Sequence, residues 1–567
     1  MSASLRVGIL IDNPEAADCW ELRLFEKLRC HETFELVAFL VGGTQRDGPG
    51  QKRLNATSRH LNHNSRLFTL IEKVDERLAS KNSACDRESW RAALREVDIV
   101  DLHPCYGIDS AVSHFPPDEI EKVTALKLDV ILKHGFSEIE GGLLEAAKFG
   151  LWWLQPADDR VAKGEPAGFW EAYDNSPVTG VTLKKLANKP LIDEVIARAF
   201  YNVKFSAARN KDLIYEKSIA LILRELTRLA RDGSLKTESP KAVGELDADQ
   251  GQHAGSTQVP KSPGPLQAIH YGAKVGREIF LRGMDTVLAK AGYRPNLWTL
   301  FYGQGAFENA DLSQTIEAVP GLHEFWGDPF LFTKDNKDYL FFENYNYRQQ
   351  TAWISVGLIE DGKFRFLGDA LKTDYHLSYP FIFEDDGEIY MVPETCNNYD
   401  LEVWKCTQFP FEWELYATAF EGQQIVDSII FKQQDKWWLF TNMTDDPYGD
   451  HCSELHIYEI DGPQLNQLTP HELNPVVIDA RCSRNGGRVF EKDGKLFRSS
   501  QNNSYGVYGY GLNIMEIISL SLSDYEEKLV KKVVPDFKQG LIACHHMDFT
   551  GDHFVIDGCK RFGGFSK

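Results

Sequence analysis

The stretch GDPFLF, residues 327–332, decides the interpretation of the fold, because near-copies of it return along the second half of the chain. Its apolar and aromatic core is typical of a buried β-strand, yet the strand starts with the carboxylate of Asp328. The related strings are YPFIF at 379–383, DSIIF at 427–431, GGRVF at 486–490 and HHMDF at 545–549. Each is followed by turn residues such as Asp-Gly and by a second aromatic run, which is the pattern of a β-hairpin.

Five hairpins at a period of roughly 50 residues predict a five-bladed β-propeller over residues 265–567. The first strand of each blade lines the central channel, so the residue at the head of that strand lies near the axis at one mouth. The five head residues are Asp328, Tyr379, Asp427, Gly486 and His545. An Asp before a Pro also starts many turns, and a purely structural role for each Asp stays open.

The strings GDPFLF, DYHLSYPFIFEDDGEIYMVPET (374–395) and NPVVIDARCSRNGGRVFEKDGKLFRSSQ (474–501) resemble two kinds of protein. One is the five-bladed glycoside hydrolases of the arabinanase and β-xylosidase type. The other is the propeller-like domain of plant glucosamine inositolphosphorylceramide transferases. The resemblance implies a site with a carboxylate base, a carboxylic acid and a further Asp that tunes the acid, with their pKa values held apart.

Carried over by position, the resemblance implies Asp328 as the base, Asp427 as the tuning carboxylate and Glu394 as the acid. Arg481 and Arg484 precede the fourth inner strand, where a guanidinium would favour an anionic ligand such as a sugar phosphate. A structural ion pair with Asp479 is the alternative for this Arg pair. The remaining candidates for substrate binding are Tyr379, His545 and His546. No metal site is predicted.

Residues 1–232 alternate strand and helix patterns, which predicts a Rossmann-type parallel sheet with helices on its faces. Residues 128–186, with the motifs GFWE and PVTGVTL, resemble the core of the folate-dependent formyltransferases. That family uses an Asn-x-His pair for oxyanion stabilisation and proton transfer. Here the two positions carry Trp153 and Gln155, which implies a formyltransferase-like α/β domain that has lost its catalysis.

Residues 233–264 are rich in Ser, Pro, Gly and charge and lack aromatic residues, which predicts a flexible linker between the two domains. The formal charge of −21 argues against nucleic acid or an anionic membrane as a partner. The ten cysteines show no C-x-x-C pair, and no apolar run is long enough to span a bilayer. These features predict reduced thiols and a cytoplasmic, multidomain protein.

Three hypotheses for function follow. The first is an enzyme, a glycoside hydrolase or a glycosyl transferase, that acts on a glycosidic bond or an activated sugar in the propeller funnel without a cofactor. The second is a sugar N-formyltransferase that uses formyl-tetrahydrofolate. The third is a non-catalytic glycan-binding scaffold in surface-polysaccharide or glycoconjugate metabolism. The expected ligand is a carbohydrate or a sugar nucleotide, and self-association into a homo-oligomer is compatible with each hypothesis.

Overall fold

The computed structural model describes residues 4–42, 66–79, 94–106, 112–136, 138–160, 166–238, 263–290, 296–305, 310–551 and 553–561. Most of the predicted linker, residues 239–262, lies outside the described residues. The described chain divides into two compact units. The first comprises Met1–Ala199 and Lys204–Lys274, and the second comprises Phe200–Val203 and Val275–Lys567.

The first unit is an α/β structure. Its strands are β1 (Leu5–Ile11), β2 (Phe34–Gly42), β3 (Asp98–Leu102), β4 (Cys105–Tyr106), β5 (Val112–His114), β6 (Val130–His134), β7 (Glu138–Glu140), β8 (Leu151–Gln155), β9 (Val178–Lys185) and β10 (Glu194–Asn202). The helices are α1 (Cys19–Cys30), α2 (Arg66–Ala79), α3 (Pro117–Ala125), α4 (Phe169–Asp174) and α5 (Ala207–Asp232), followed by α6 (Pro265–Lys290), whose first turns belong to this unit.

The main sheet of this unit has the order β10-β9-β8-β6-β1-β2-β3. The pairs β1/β2, β2/β3, β1/β6 and β6/β8 are parallel, whereas β8/β9 is antiparallel. The predicted parallel α/β sheet is therefore confirmed. The long helix α5 ends where Gly233 adopts a left-handed conformation with φ of 66°.

The second unit is a five-bladed β-propeller, as the repeat predicts. Its first four blades contain the strands β13 (Glu324–Lys334), β14 (Lys337–Asn346), β15 (Thr351–Glu360) and β16 (Lys363–Leu371); β17 (Ser378–Asp385), β18 (Glu388–Glu394), β19 (Leu401–Gln408) and β20 (Glu412–Ala419); β21 (Ile425–Gln433), β22 (Lys436–Met443), β23 (Glu454–Ile460), β24 (Leu468–Pro470) and β25 (Val477–Ile478); and β26 (Asn485–Lys492), β27 (Lys495–Asn502), β28 (Gly511–Leu520) and β29 (Tyr525–Val533).

The fifth blade joins the two ends of the propeller sequence. It consists of β11 (Asn296–Gln304), β12 (Ile316–Ala318), β30 (Leu541–Ala543), β31 (Met547–Thr550) and β32 (His553–Arg561). The first strand, β11, pairs antiparallel with the last strand, β32, from Asn296↔Arg561 to Gln304↔His553. This pairing closes the ring, and it removes the two open sheet edges that would otherwise remain.

The inner hairpins have the turns that their sequences predict. Asp335 and Asn336, between β13 and β14, have φ of 51° and 55°. Asp386 and Gly387 between β17 and β18 also take positive φ angles, and so do the Asp493 and Gly494 pair between β26 and β27. Two consecutive residues with positive φ form the tight turn whose twist matches that of the strands.

The cysteines bear on the prediction of reduced thiols. Eight described cysteines carry free thiols, in agreement with that prediction, but Cys19 is disulfide-bonded, so it is not a reduced thiol. Among the described residues, none of the helices combines the length and apolarity that a membrane crossing requires.

Candidate active site

The head residues of the inner strands share an unusual backbone conformation. Asp328, Tyr379 and Asp427 have φ of 49°, 46° and 48°, a left-handed region that non-glycine residues rarely enter. In each of these blades the register between the first two strands shifts at this residue, which marks a β-bulge. Bulges re-aim side chains, and strained backbone of this kind clusters at functional sites.

The fourth blade has glycines at this position because the fifth blade approaches closely. A Cβ atom on Gly486 would lie 2.8 Å from the carbonyl oxygen of His545, and one on Gly487 would lie 2.0 Å from that of Met547. No side chain can replace hydrogen at such distances without moving a neighbouring strand. Blade four therefore contributes to the axis through residues that flank the glycines, above all Arg484.

A cavity of about 200 Å³ opens at the mouth where these heads meet. Among the predicted site residues, Asp328, Glu394, Arg484 and His545 line it. The other lining residues are Trp298, Phe325, Gly327, Glu343, His376, Ser378 and Tyr508. Four of the five blades supply acidic, basic or aromatic side chains to one small space, as the convergence of the repeat predicts.

Asp328 lies beside a histidine that two carboxylates hold. Nε2 of His545 is 3.4 Å from Oδ1 of Asp328, and Nδ1 is 2.5 Å from Oδ2 of Asp557. Asp557 also accepts the backbone N–H groups of His545 and His546 at 2.8 and 3.0 Å. Burial alone would lower the pKa of His545, but Asp557 and Asp328 outweigh burial and raise it to about 9.

Glu394 lies in a different environment from Asp328. The guanidinium of Arg484 donates from Nε to Asp427 Oδ2 at 2.6 Å, and its Nη2 is 3.5 Å from Oε2 of Glu394. Gln501 donates a further hydrogen bond to Asp427 at 3.0 Å. Burial, with the nearby Asp427 carboxylate, raises the pKa of Glu394 well above its ordinary value. Glu394 is therefore held as a carboxylic acid next to an ion-paired Asp427.

The pKa of Asp328 is also raised well above its ordinary value, chiefly by burial, and His545 opposes that effect. Each of these two cavity carboxyls faces one cation. Asp328 faces the His545 ring, which Asp557 also holds, and Glu394 faces the Arg484 guanidinium, which Asp427 also holds. Acid–base chemistry on a sugar needs two carboxyl groups in different environments, and these two face cations of different type.

Asp328, His545 and Asp557 place three potential ligand atoms within 4.8 Å of one another, so we tested them as a metal site. A metal needs a neutral imidazole with a lone pair directed at the ion. Here both ring nitrogens of His545 face carboxylates, Nε2 towards Asp328 and Nδ1 towards Asp557. As they stand, the three residues form a buried ion-pair chain.

Three predicted ligand-binding residues lie outside the cavity lining. Arg481 pairs with Asp479 at 2.6 Å and packs on the ring of Phe200, so the structural alternative for this arginine holds. Tyr379 is fully buried and its hydroxyl donates to the Gly487 carbonyl at 3.3 Å. His546 is also fully buried, and burial, together with the charge of His545, lowers its pKa well below the ordinary value.

The binding of an anionic ligand by Arg484 stays a prediction. Its guanidinium contacts Asp427 and Glu394, and it packs over the ring of Tyr508 at 5.2 Å. The Asp427 carboxylate already balances the charge of the guanidinium, so Arg484 holds Asp427 in place.

Sequence reasoning missed Glu343, His376, Trp298, Phe325 and Tyr508. Glu343 lies on β14 and His376 in the connection before β17, so neither shares the repeat phase of the strand heads. Trp298 belongs to β11, which reaches the site only because the first strand closes the last blade. A polar Glu in the apolar run YLFFENY was the one available signal, since a buried carboxylate in an inner hairpin requires a partner.

A family model described as Glucosamine inositolphosphorylceramide transferase 1, N-terminal, matches residues 313–550. The curated protein named Glucosamine inositolphosphorylceramide transferase 1 from Oryza sativa subsp. japonica is 33% identical over 233 residues, which is 40% of this chain and 31% of that protein. The protein of the same name from Arabidopsis thaliana is 30% identical over 284 residues, which is 47% of this chain and 37% of that protein.

Two solved structures are similar at lower identity. A thermostable family-43 glycoside hydrolase is 13% identical with a TM-score of 0.34, and the similarity covers 41% of this chain and 88% of that one. Zg3597, a family 117 glycoside hydrolase from Zobellia galactanivorans, is 11% identical with a TM-score of 0.31, covering 48% and 93%. Neither carries an argument about function. The chain spans about a third of the length of the curated relatives it matches.

Proposed function

We propose that the propeller cavity makes or breaks a glycosidic bond, with Glu394 as general acid and Asp328 as general base. The observation that carries this proposal is that two carboxyl groups from different blades, the buried Asp328 and the half-buried Glu394, line one cavity in unlike electrostatic environments. A glycosidic oxygen leaves only when it gains a proton, and an incoming hydroxyl attacks only when it loses one. One acid and one base in the same cavity meet both needs.

Glu394 is assigned as the donor because burial and the Asp427 carboxylate raise its pKa, which favours the protonated form. As the bond between the anomeric carbon and the leaving oxygen breaks, that proton passes to the oxygen. Glu394 is then left as a carboxylate, and the Arg484 guanidinium stabilises it at 3.5 Å. Asp427 acts indirectly, through Glu394. Its ion-paired carboxylate disfavours loss of the Glu394 proton before the glycosidic bond breaks.

Asp328 is the acceptor because the cationic ring of His545 lies 3.4 Å from one of its oxygens. It takes the proton of the attacking hydroxyl as the new bond to the anomeric carbon forms. The proteins similar to residues 313–550 are named as transferases, which favours an alcohol over water as the attacking group. The sugar is thus transferred to an acceptor rather than released.

The proposal is tested with the full chain and aryl glycosides of hexoses and hexosamines, with and without alcohol acceptors. Nitrophenol release measures bond cleavage, and mass spectrometry separates transfer products from free sugar. The variants are Glu394→Gln and Asp328→Asn, with Glu388→Gln at the exposed start of the same strand as control. Turnover by the parent chain that persists in both site variants would place the chemistry elsewhere.

The glycan-binding scaffold is the second candidate, and the same experiment separates it from the enzyme. Sugar binding without turnover by the parent chain would favour the scaffold and contradict the acid–base roles. For the first unit we retain the proposal of a formyltransferase-like domain used for binding. Trp153 and Gln155 lie on β8 and supply no acid or base, so sugar N-formyl transfer finds no support among the described residues.

A further inference from the structure

Next to the cavity lies a group of aromatic side chains that the acid–base roles do not use. Phe325 lines the cavity, and its ring stacks on Tyr345 with centroids 4.7 Å apart and planes 13° apart. Tyr347 packs edge-on to both rings at 5.8 and 5.2 Å. All three are partly exposed. We call these three residues the aromatic shelf.

We propose that the aromatic shelf is a second saccharide subsite, so the substrate reaches the cavity as one unit of a longer neutral or zwitterionic glycan. This inference rests on the proposed function of the cavity and adds the class of substrate. The apolar C–H face of a sugar ring packs on an aromatic ring through dispersion and the ring's electron-rich face. Because the three rings already hold one another in place, their side chains lose little conformational entropy when a sugar binds.

The size of the cavity supports a second subsite. Its volume of about 200 Å³ is smaller than the roughly 300 to 1,000 Å³ of typical ligand pockets. One sugar ring fills such a space, and any further part of the substrate lies outside it. The shelf is the partly exposed aromatic surface that continues from the cavity, because Phe325 belongs to both.

A polar pair lies between the cavity and the shelf. Nε2 of His376 is 3.2 Å from Oε1 of Glu343, both residues line the cavity, and the His376 ring is 6.1 Å from that of Tyr345. Burial lowers the pKa of His376, but the contact with Glu343 outweighs burial and raises it. With Nε2 directed at Glu343, Nδ1 is the ring nitrogen left to donate to a hydroxyl group.

The charge at this junction argues for a saccharide rather than a phosphate group. Glu343 balances His376, so the pair presents hydrogen-bond donors and acceptors without an unpaired cation. Sugar hydroxyls, in contrast, can donate to Glu343 and accept from His376 at the same time. The pair is suited to hold the link between the two sugar units.

The test uses the full chain on an array of mono-, di- and trisaccharides of hexoses, hexosamines and hexuronic acids. Calorimetry then compares the best-bound oligosaccharide with its terminal monosaccharide glycoside. We expect the oligosaccharide to bind at least tenfold more tightly. In Tyr345→Leu, and in Tyr347→Leu, that ratio falls to about one while binding of the monosaccharide persists. Tyr416→Ala, an exposed tyrosine on β20, is the matched control.

Each outcome decides between the claims. Equal affinity for mono- and oligosaccharide, or an unchanged ratio in both shelf variants, overturns the shelf and leaves the cavity proposal intact. A preference for phosphorylated over neutral sugars overturns the saccharide assignment at the junction. If no saccharide on the array binds the parent chain, the proposed function of the cavity is overturned, and the aromatic shelf is overturned with it. Circular dichroism confirms that each variant is folded.

Discussion

At the scale of single residues, the environment of each carboxyl group decides its chemistry more than its type does. Asp328 is buried beside the imidazolium of His545, whereas Glu394 is half-buried between the carboxylate of Asp427 and the guanidinium of Arg484. The sequence could identify both as candidates from the repeat and the resemblance. It could not show that Arg484 is committed to Asp427, because that contact joins residues 57 positions apart.

The raised pKa of Glu394 leads to an expected dependence of activity on pH. A general acid works only while it holds its proton, so activity should fall as the pH rises through the raised pKa of Glu394. Glu394→Gln should lower kcat by about 10²- to 10⁴-fold and abolish that alkaline decline. Rate–pH profiles of both proteins measure this. An alkaline decline of the same shape in the variant would assign it to another group.

His545 gives an expected dependence of stability on pH. Its pKa is raised to about 9 in the folded protein, against an ordinary value of 6.5. Protonation of His545 therefore stabilises the fold fully below about pH 6.5, and this contribution disappears as the pH rises through about 9. It is of the order of 1 to 3 kcal/mol for a shift of this size in a buried, coupled group.

The variant Asp557→Asn should remove most of that dependence, because His545 loses its nearest anion. Urea unfolding at pH 6 and at pH 9.5 measures the difference, and NMR titration of the imidazole measures the pKa directly. Asp338→Asn, which faces His553 on the same blade pair, is the control. An unchanged His545 pKa in Asp557→Asn would show that Asp328 alone holds the proton.

At the scale of strands and turns, the hairpins could be predicted from the sequence because their signals are local. Alternating apolar residues and Asp-Gly pairs fix where each inner hairpin turns. The bulge at each strand head could not be predicted, since its left-handed backbone depends on packing around the axis. The close approach of blades four and five could not be predicted either, although the consecutive glycines Gly486 and Gly487 occur where it takes place.

Because blades four and five lie so close, adding one methyl group at Gly487 should strongly lower the free energy of unfolding. Gly487→Ala brings a Cβ atom to 2.0 Å from the Met547 carbonyl oxygen, at a φ of 144°. Gly494→Ala, in the turn of the same hairpin, meets no atom within 4 Å at a φ of 73°. Gly494→Ala incurs the cost of a left-handed residue, about 1 to 2 kcal/mol. Gly487→Ala needs a φ that L residues hardly adopt and adds a clash, so its free energy of unfolding should fall by several kcal/mol more.

Urea denaturation of the two glycine variants measures this difference. A similar loss of stability in both would mean that blade five moves to accommodate the methyl group. In that event the distance between His545 and Asp328 should also change, and the pKa of His545 would report it.

At the scale of the whole molecule, the repeat predicted five blades but not how the ring closes. The pairing of β11 with β32 brings Trp298 and Asp557 to the site from opposite ends of the propeller sequence. No periodic signal marks these residues. In the first unit, the parallel sheet could be predicted from alternating strands and helices, whereas the likeness of its core to formyltransferases stays a prediction.

Closure by β11 and β32 makes the last strand essential. Val555 is fully buried and pairs with Tyr302 on one side and with Asp548 on the other. Val555→Pro removes a donor in the middle of the sheet and should prevent the fifth blade from forming, at a cost above about 3 kcal/mol. Val555→Thr keeps the backbone N–H and is the control.

Limited proteolysis and circular dichroism compare the two proteins. Protease resistance of Val555→Pro equal to that of the parent chain would show that the ring stays closed without this strand.

The left-handed bend at the strand heads has a consequence for how such a protein changes over generations. One backbone geometry presents Asp, Tyr and Asp in three successive blades, so the scaffold accepts different chemistry at equivalent places. A single codon change at a head can exchange acid, phenol or amide without rebuilding the blade beneath it. The strand heads are thus equivalent positions at which one functional side chain can replace another. A new reaction can arise there while the propeller fold is kept.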